Sequence, residues 1–120
     1  METIGDHIRL WRISNDFLQK DIAQMLFVSE DTITGWEQNR AVPGTKQIAK
    51  LVKLLGYLPI KIDTSTLGGR ITQFRYLNGL TPKEFGALVN ADPSTVRAWE
   101  IGTNKPSKNR RLLIEMLIKC

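Results

Sequence analysis

Apolar residues recur every three or four positions along most of the chain, which is the spacing of one buried face of an α-helix. Ile4, Ile8 and Trp11 show this spacing near the N-terminus, and Leu51 and Leu55 continue it later in the first half. The pattern predicts eight helices, near residues 4–14, 19–26, 30–38, 45–55, 67–77, 82–89, 93–101 and 107–118.

Capping residues mark where two of these helices begin. Thr81 can cap a helix whose first turn contains Pro82 and Glu84, since a Thr side chain accepts from the backbone while the Glu three residues later bonds back. Asp92 can cap the next helix in the same way, just before Pro93. We therefore expect helix starts at both positions.

The segment 58–66 breaks the helical pattern. Pro59 ends any preceding helix, and Ile60 and Ile62 alternate with charged residues. This alternation predicts an extended linker between two halves of the chain.

The two halves repeat each other. A shift of 63 residues aligns 5–43 with 68–106 without a gap. The identical pairs are Gly5/Gly68, Ile8/Ile71, Arg12/Arg75, Asn15/Asn78, Lys20/Lys83, Thr32/Thr95, Trp36/Trp99, Glu37/Glu100 and Pro43/Pro106. Self-similarity at a fixed period indicates one structural unit used twice. The chain is therefore predicted to be all-α, with two tandem four-helix units at 1–57 and 67–120.

In each copy, the second and third helices have the features of a pair that places one helix in the DNA major groove. Such a pair needs a small residue where the helices cross, and Ala23 and Gly86 occupy that position. The predicted buried anchors of the third helix are Ile33, Trp36, Val96 and Trp99. Its outer face carries Thr32, Thr34 and Gly35 in the first copy and Ser94, Thr95, Arg97 and Ala98 in the second. We call this second set the reading edge.

The stretches "LQKDIAQMLFVSEDTITGWEQNR" and "LTPKEFGALVNADPSTVRAWEIGTNKPS" resemble the helix-turn-helix of phage repressor/Cro-like transcription regulators. The resemblance covers about 54 residues twice, nearly the whole chain. It implies a sequence-specific transcription regulator that binds double-stranded DNA through the third helix of each unit. It also implies a bacterial or phage protein in the cytoplasm, associated with the nucleoid.

The resemblance also assigns roles to residues. The base-reading positions fall on Glu30, Asp31, Thr32 and Gly35 in the first copy, and on Pro93, Ser94, Thr95 and Ala98 in the second, with Arg97 adjacent. The phosphate contact that opens the second helix falls on Gln19, whereas the second copy has Pro82 there, which has no donor. The resemblance further implies structural ion pairs of Arg12 with Glu37 and of Arg75 with Glu100.

The turn between the second and third helices commonly holds Gly in this family, because the turn requires a positive φ. Asn90 in the second copy tolerates that conformation, but Phe27 in the first copy does so poorly. Three interpretations remain open for Phe27. The turn differs, the ring packs over the core of its own unit, or strain is accepted to present the ring to another surface.

Charge is divided unevenly between the copies. Residues 4–57 contain seven Lys/Arg and six Asp/Glu, whereas residues 67–120 contain nine and four, in a chain of net charge +5. Because phosphate neutralisation supplies most non-specific DNA affinity, the second copy is the expected main DNA contact. Donors that can reach phosphates follow the third helices at Arg40, Lys105, Lys108, Arg110 and Arg111, and a solvated face is the alternative for the last four.

Two arrangements of DNA binding remain open. In one, the second unit reads DNA while the first reads weakly or binds a protein partner or a second copy. In the other, both recognition helices enter successive major grooves about 34 Å apart. A different class of function, a non-enzymatic interaction module of antitoxin or adaptor type, uses the same fold.

Other function classes have little support in the sequence. His7 is the only histidine and Cys120 the only cysteine, so no metal site, cofactor or intrachain disulfide is expected. No Gly-rich phosphate loop is present, and we expect no enzyme. The chain has no apolar run of about 18 residues and no secretory signal at its N-terminus, so no membrane partner is expected.

Overall fold

The computed structural model describes residues 3–119, so Cys120 lies outside the described residues. Every regular element in this range is an α-helix, which confirms the all-α prediction. The helices are α1 (Ile4–Ser14), α2 (Gln19–Leu26), α3 (Glu30–Glu37), α4 (Thr45–Leu55), α5 (Leu67–Asn78), α6 (Pro82–Val89), α7 (Pro93–Ile101) and α8 (Lys108–Lys119). Each lies within one residue of its predicted bounds. No helix in residues 3–119 is long and apolar enough to cross a membrane.

The internal contacts divide the chain into two compact units, unit one (Met1–Lys61) and unit two (Ile62–Cys120). Unit one contains α1–α4, and its core is formed by buried side chains from all four helices, namely Ile8, Ile22, Ala23, Leu26, Ile33, Trp36 and Leu51. The core of unit two comprises Ile71, Phe85, Val89, Val96, Trp99 and Ile114. The predicted anchors of the third and seventh helices are thus buried.

Two glycines allow the first helix of each unit to approach the third closely. A Cβ on Gly5 would lie 2.0 Å from the carbonyl oxygen of Trp36, and a Cβ on Gly68 would lie 2.4 Å from that of Trp99. Both distances are far shorter than van der Waals contact. Glycine is therefore required at both positions by the backbone contact itself.

The capping prediction is correct at one helix and only partly correct at the next. Thr81 accepts a hydrogen bond from the backbone N–H of Glu84, whose carboxylate accepts from the N–H of Thr81. Asp92 occupies the N-cap position of α7, but its side chain makes no capping hydrogen bond. Pro93 does not account for this difference, because Pro82 occupies the same position in α6 and Thr81 still caps that helix.

The linker is not extended throughout. The Asp63 carboxylate accepts from the backbone N–H of Ser65 at 3.0 Å and from its hydroxyl at 2.6 Å, which closes a turn. These hydrogen bonds hold the pKa of Asp63 below its ordinary value. Thr66 then caps α5 by accepting from the N–H of Gly69. Local side-chain hydrogen bonds of this kind compete with an extended backbone, so the prediction is wrong for residues 63–66.

Candidate nucleic-acid interface

The turns α2–α3 and α6–α7 have the same backbone. Phe27 and Asn90 both adopt the left-handed conformation, with φ of 59° and 58°. The following residue closes each turn, since the N–H of Val28 donates to the carbonyl of Ala23 and that of Ala91 to the carbonyl of Gly86. The interpretation that the turn differs at Phe27 is therefore wrong.

Phe27 does not pack over the core of its unit either. Its side chain is 87% exposed, and the Nζ of Lys50 lies 5.7 Å from the ring centroid. A left-handed conformation costs a non-glycine residue about 1–3 kcal/mol, and the exposed ring gains little burial in return. The structure thus leaves only the third interpretation, in which strain presents the ring outwards.

Gly86 is required where α6 passes the turn. A Cβ at this position would lie 2.2 Å from the carbonyl oxygen of Ala91. In unit one the corresponding Ala23 is buried in the core. Ala23 and Gly86 thus lie where the sequence predicted a close approach of the second and third helices of each unit.

An arginine–glutamate pair joins the first and third helices of each unit. In unit one the Nε and Nη2 of Arg12 donate to the two carboxylate oxygens of Glu37, at 2.7 and 2.9 Å. In unit two the same atoms of Arg75 donate to Glu100 at 2.6 and 2.9 Å. The remaining Nη1 of each arginine donates to a backbone carbonyl just after the helix, at 3.1 Å in both units. This bidentate geometry fixes the third helix on the first.

The pairs raise the pKa of both arginines. The hydrogen bond and the charge of Glu37 raise the pKa of Arg12 above its ordinary value. Burial lowers the pKa of Arg75, but its hydrogen bonds and charge interactions, chiefly with Glu100, outweigh that effect and leave it raised. Both carboxylates are paired with arginine inside their units, so neither presents an unpaired negative charge at the surface.

A third polar group completes each pair, and it differs between units. In unit one Gln19 donates to Glu37 at 3.2 Å, and its amide oxygen accepts from the Thr34 hydroxyl at 2.7 Å. In unit two the Thr72 hydroxyl donates to Glu100 at 2.9 Å. Sequence reasoning missed Thr72, although its position one helical turn before Arg75 was a signal.

This network changes the expected roles of two residues. Gln19 was expected at a phosphate and Thr34 on a free outer face, but they bond to each other and both are half-buried. The backbone carbonyl oxygen of Glu30 lies 3.2 Å from the same hydroxyl, whose single proton is shared between the two acceptors. A side chain bonded on both sides must break internal contacts before it can reach a ligand.

The reading edge of unit two lies at the surface. Ser94 and Arg97 are exposed, and Thr95 and Ala98 are partly exposed. Among residues 3–119 the side chain of Arg97 has no hydrogen-bond or ion-pair partner. Lys105 and Lys108 are exposed just beyond α7. Unit two therefore presents one unpaired guanidinium and two ammonium groups near the same helix.

Arg110 and Arg111 are less free than the sequence suggested. The Nη2 of Arg110 donates to the carbonyl of Asn90 at 2.8 Å, and its Nε is buried without a partner. Arg110 lines a cavity of about 310 Å³ beside Asn90, Asp92 and Thr95. Arg111 lies 3.7 Å from Glu115. The basic cluster thus divides into exposed lysines and arginines engaged by the fold.

The residues of α3 that correspond to the reading edge carry acidic groups or offer few free donors. Glu30 and Asp31 are exposed at the start of α3, and Thr32 is held by Ser29, which caps the helix. Gly35 is buried, although a Cβ there would meet no atom within 4 Å. Arg40 is exposed in the loop beyond.

No group of three or more His, Cys, Asp or Glu side chains within residues 3–119 could hold a metal ion. The sole histidine is engaged within unit one, where its Nδ1 lies 2.7 Å from the Tyr57 hydroxyl. Comparisons of the chain with protein-family models, curated proteins and solved structures gave no significant match.

Proposed function

We propose that the protein is a sequence-specific DNA-binding transcription regulator built from two repressor/Cro-like helix-turn-helix units. In this proposal α3 and α7 are the recognition helices, and unit two makes the main contact with double-stranded DNA. The function is non-enzymatic, needs no cofactor, and belongs in the cytoplasm on the nucleoid.

The observation that carries the proposal is the unpaired Arg97 on the exposed face of α7. An arginine there can donate bidentately to a guanine edge in the major groove, and Ser94 and Thr95 suit bases or phosphates. Lys105 and Lys108 lie exposed beyond the helix, where they can neutralise phosphates. Because α7 is fixed by the Arg75–Glu100 pair, these groups are positioned by a rigid scaffold.

The side chains of α3 support the proposal that the two recognition helices contribute unequally to DNA binding. Its α3 has Thr34 where unit two has Arg97, and Thr34 is already bonded to Gln19. Its exposed Glu30 and Asp31 oppose phosphates unless each meets a cytosine amino group. Unit one therefore makes the weaker DNA contact, or none.

The second candidate function is a protein-interaction module of antitoxin or adaptor type, and the exposed apolar residues of α8 favour it. Leu112, Leu113 and Met116 are exposed there, whereas the corresponding residues of α4 are Ala49, Lys50 and Lys53. Exposed apolar side chains grouped on one helix can bind a protein partner or a second copy.

Selection of bound duplexes from random DNA tests the proposal. The whole chain is expected to enrich one sequence, and its affinity for that duplex should fall steeply with salt. Arg97→Ala should reduce that affinity about 10- to 100-fold, with Lys119→Ala as a matched loss of one exposed cation. Absence of duplex binding at low salt would exclude the DNA-binding function and leave the interaction module.

A further inference from the structure

Phe27 combines two features that its own unit does not need. Its backbone is left-handed, and its ring is 87% exposed. The corresponding Asn90 closes the same turn with a residue that adopts this conformation readily. A strained residue that contributes little to its own core points to a contact outside the fold.

The ring lies beside a line of positive charge. Lys46, Lys50 and Lys53 are spaced by four and three residues on α4, so they lie along one side of the helix. All three are exposed, but Lys46 already has an interaction partner, so Lys50 and Lys53 are the two cations expected to bind phosphate. We call the three lysines the lysine stripe. The stripe extends about 10 Å along the helix axis, and α4 contains no acidic residue. The Nζ of Lys50 is 5.7 Å from the centre of the Phe27 ring, which joins the ring to the stripe.

This combination is specific to unit one. The positions of α8 that correspond to the stripe hold Asn109, Leu113 and Met116. Unit two thus lacks both the aromatic ring at the turn and the lysines beside it. Both features are therefore particular to unit one.

An exposed aromatic ring beside lysines is suited to an unpaired base next to its own phosphates. Base–aromatic stacking needs an open ring face, and a cationic groove follows the strand. The Lys50 ammonium stands over one face of the Phe27 ring, so a base would stack on the opposite face. The bases of a duplex stack on one another and do not offer a free face to such a ring. The exposed Glu30 and Asp31 at the start of α3 limit the cationic surface on that side, so the strand is expected along α4.

We infer that Phe27 and the lysine stripe form a binding site for single-stranded nucleic acid, with one unpaired base stacked on the ring and neighbouring phosphates along the lysines. The site goes beyond the proposed function, because it lies on unit one and includes no residue of the reading edge of α7.

Fluorescence anisotropy of the whole chain with a labelled oligothymidylate of about 12 nucleotides tests this site. Phe27→Asn, which installs the residue of the corresponding turn, should weaken binding about tenfold through loss of stacking. Phe27→Trp should retain binding, because it keeps a ring at the same position. Val42→Asn is the matched control at another exposed apolar residue, 77% exposed, and should leave the affinity unchanged.

The salt dependence of the affinity for the single strand distinguishes the contribution of base stacking from that of the lysine charges. The double substitution Lys50→Ala with Lys53→Ala should lower the slope of log K against log salt by about 1.4, at about 0.7 per phosphate contact on a single strand. Phe27→Asn should lower the affinity and leave this slope unchanged. If Phe27→Asn binds the strand as tightly as the wild type, or the wild type does not bind it at low salt, the site does not exist.

Two further measurements give independent outcomes. Arg97→Ala, which tests duplex recognition, should leave the loss caused by Phe27→Asn unchanged, so the two proposals can fail separately. Sedimentation of the wild type and of Phe27→Asn tests a second copy as the occupant. A concentration-dependent dimer that Phe27→Asn abolishes would assign the ring to self-association and overturn the single-strand site.

Discussion

Units one and two share a scaffold and differ at their surfaces. At positions 63 residues apart, Arg12 and Arg75 pair with their glutamates in the same bidentate geometry, and both turns close with a left-handed residue. The exposed residues of the third helices instead differ in charge, since α3 opens with acids and α7 carries Arg97. Internal contacts constrain the scaffold equally in both units, whereas only an external partner constrains the surfaces.

Loss of a buried carboxylate should have the largest effect. Glu100→Ala leaves Arg75, only 6% exposed, without its charge partner, and should destabilise unit two by about 3 kcal/mol. Glu37→Ala should cost unit one a similar amount. Amide hydrogen exchange can follow each unit separately, with the more exposed Glu115→Ala as a control expected within about 0.5 kcal/mol of wild type. A large loss in only one unit would show that the scaffolds are not equivalent.

The second largest effect is expected on DNA affinity, which substitutions in the two units should lower by different amounts. Arg97→Ala should weaken binding to the selected duplex by about 1–3 kcal/mol, whereas its counterpart Thr34→Ala should change it by less than about 0.5 kcal/mol, because Thr34 is bonded within its own unit. Titration of both variants against one labelled duplex makes the comparison. Equal losses would contradict the unequal roles of α3 and α7.

Placing the turn residue of one unit in the other should raise the stability of unit one and lower that of unit two. Phe27→Asn should stabilise unit one by about 1 kcal/mol, because it relieves strain and removes almost no burial. Asn90→Phe should destabilise unit two by about the same amount. Denaturant unfolding measures both changes. Destabilisation by Phe27→Asn would indicate that the ring supports its own unit after all.

The smallest effect is expected at the glycine of α3. Gly35→Ala should stabilise unit one by about 0.5–1 kcal/mol, since a Cβ meets nothing within 4 Å, and should leave duplex affinity unchanged. Ala98→Gly in unit two should destabilise by a similar amount. Reduced duplex affinity in Gly35→Ala would mean that α3 lies close to DNA.

The sequence predicted the helices well because their buried positions follow a regular period and their ends carry turn residues. Ile33 and Val96, for example, are fully buried where the pattern required it. It did not predict the hydrogen bond of Arg110 to the Asn90 carbonyl or that of Thr34 to Gln19. These depend on which rotamer a polar side chain adopts against a neighbour distant in sequence, and periodicity contains no information on that choice.

The exposure of Phe27 also could not be read from the sequence. A phenylalanine beside a helix is as compatible with burial as with exposure, and only the folded unit shows that this side chain is exposed. By contrast, the Arg–Glu pairs could be expected in advance, because the resemblance to repressor/Cro-like regulators implies them and each residue occupies the same position in both copies.

A footprint of the whole chain on its selected duplex tests most directly the central claim that one unit reads DNA. If unit two is the reader, about 8 base pairs should be protected, within one major-groove contact. Protection of about 18 base pairs, two contacts spaced by one helical turn, would contradict the claim and show that both recognition helices bind.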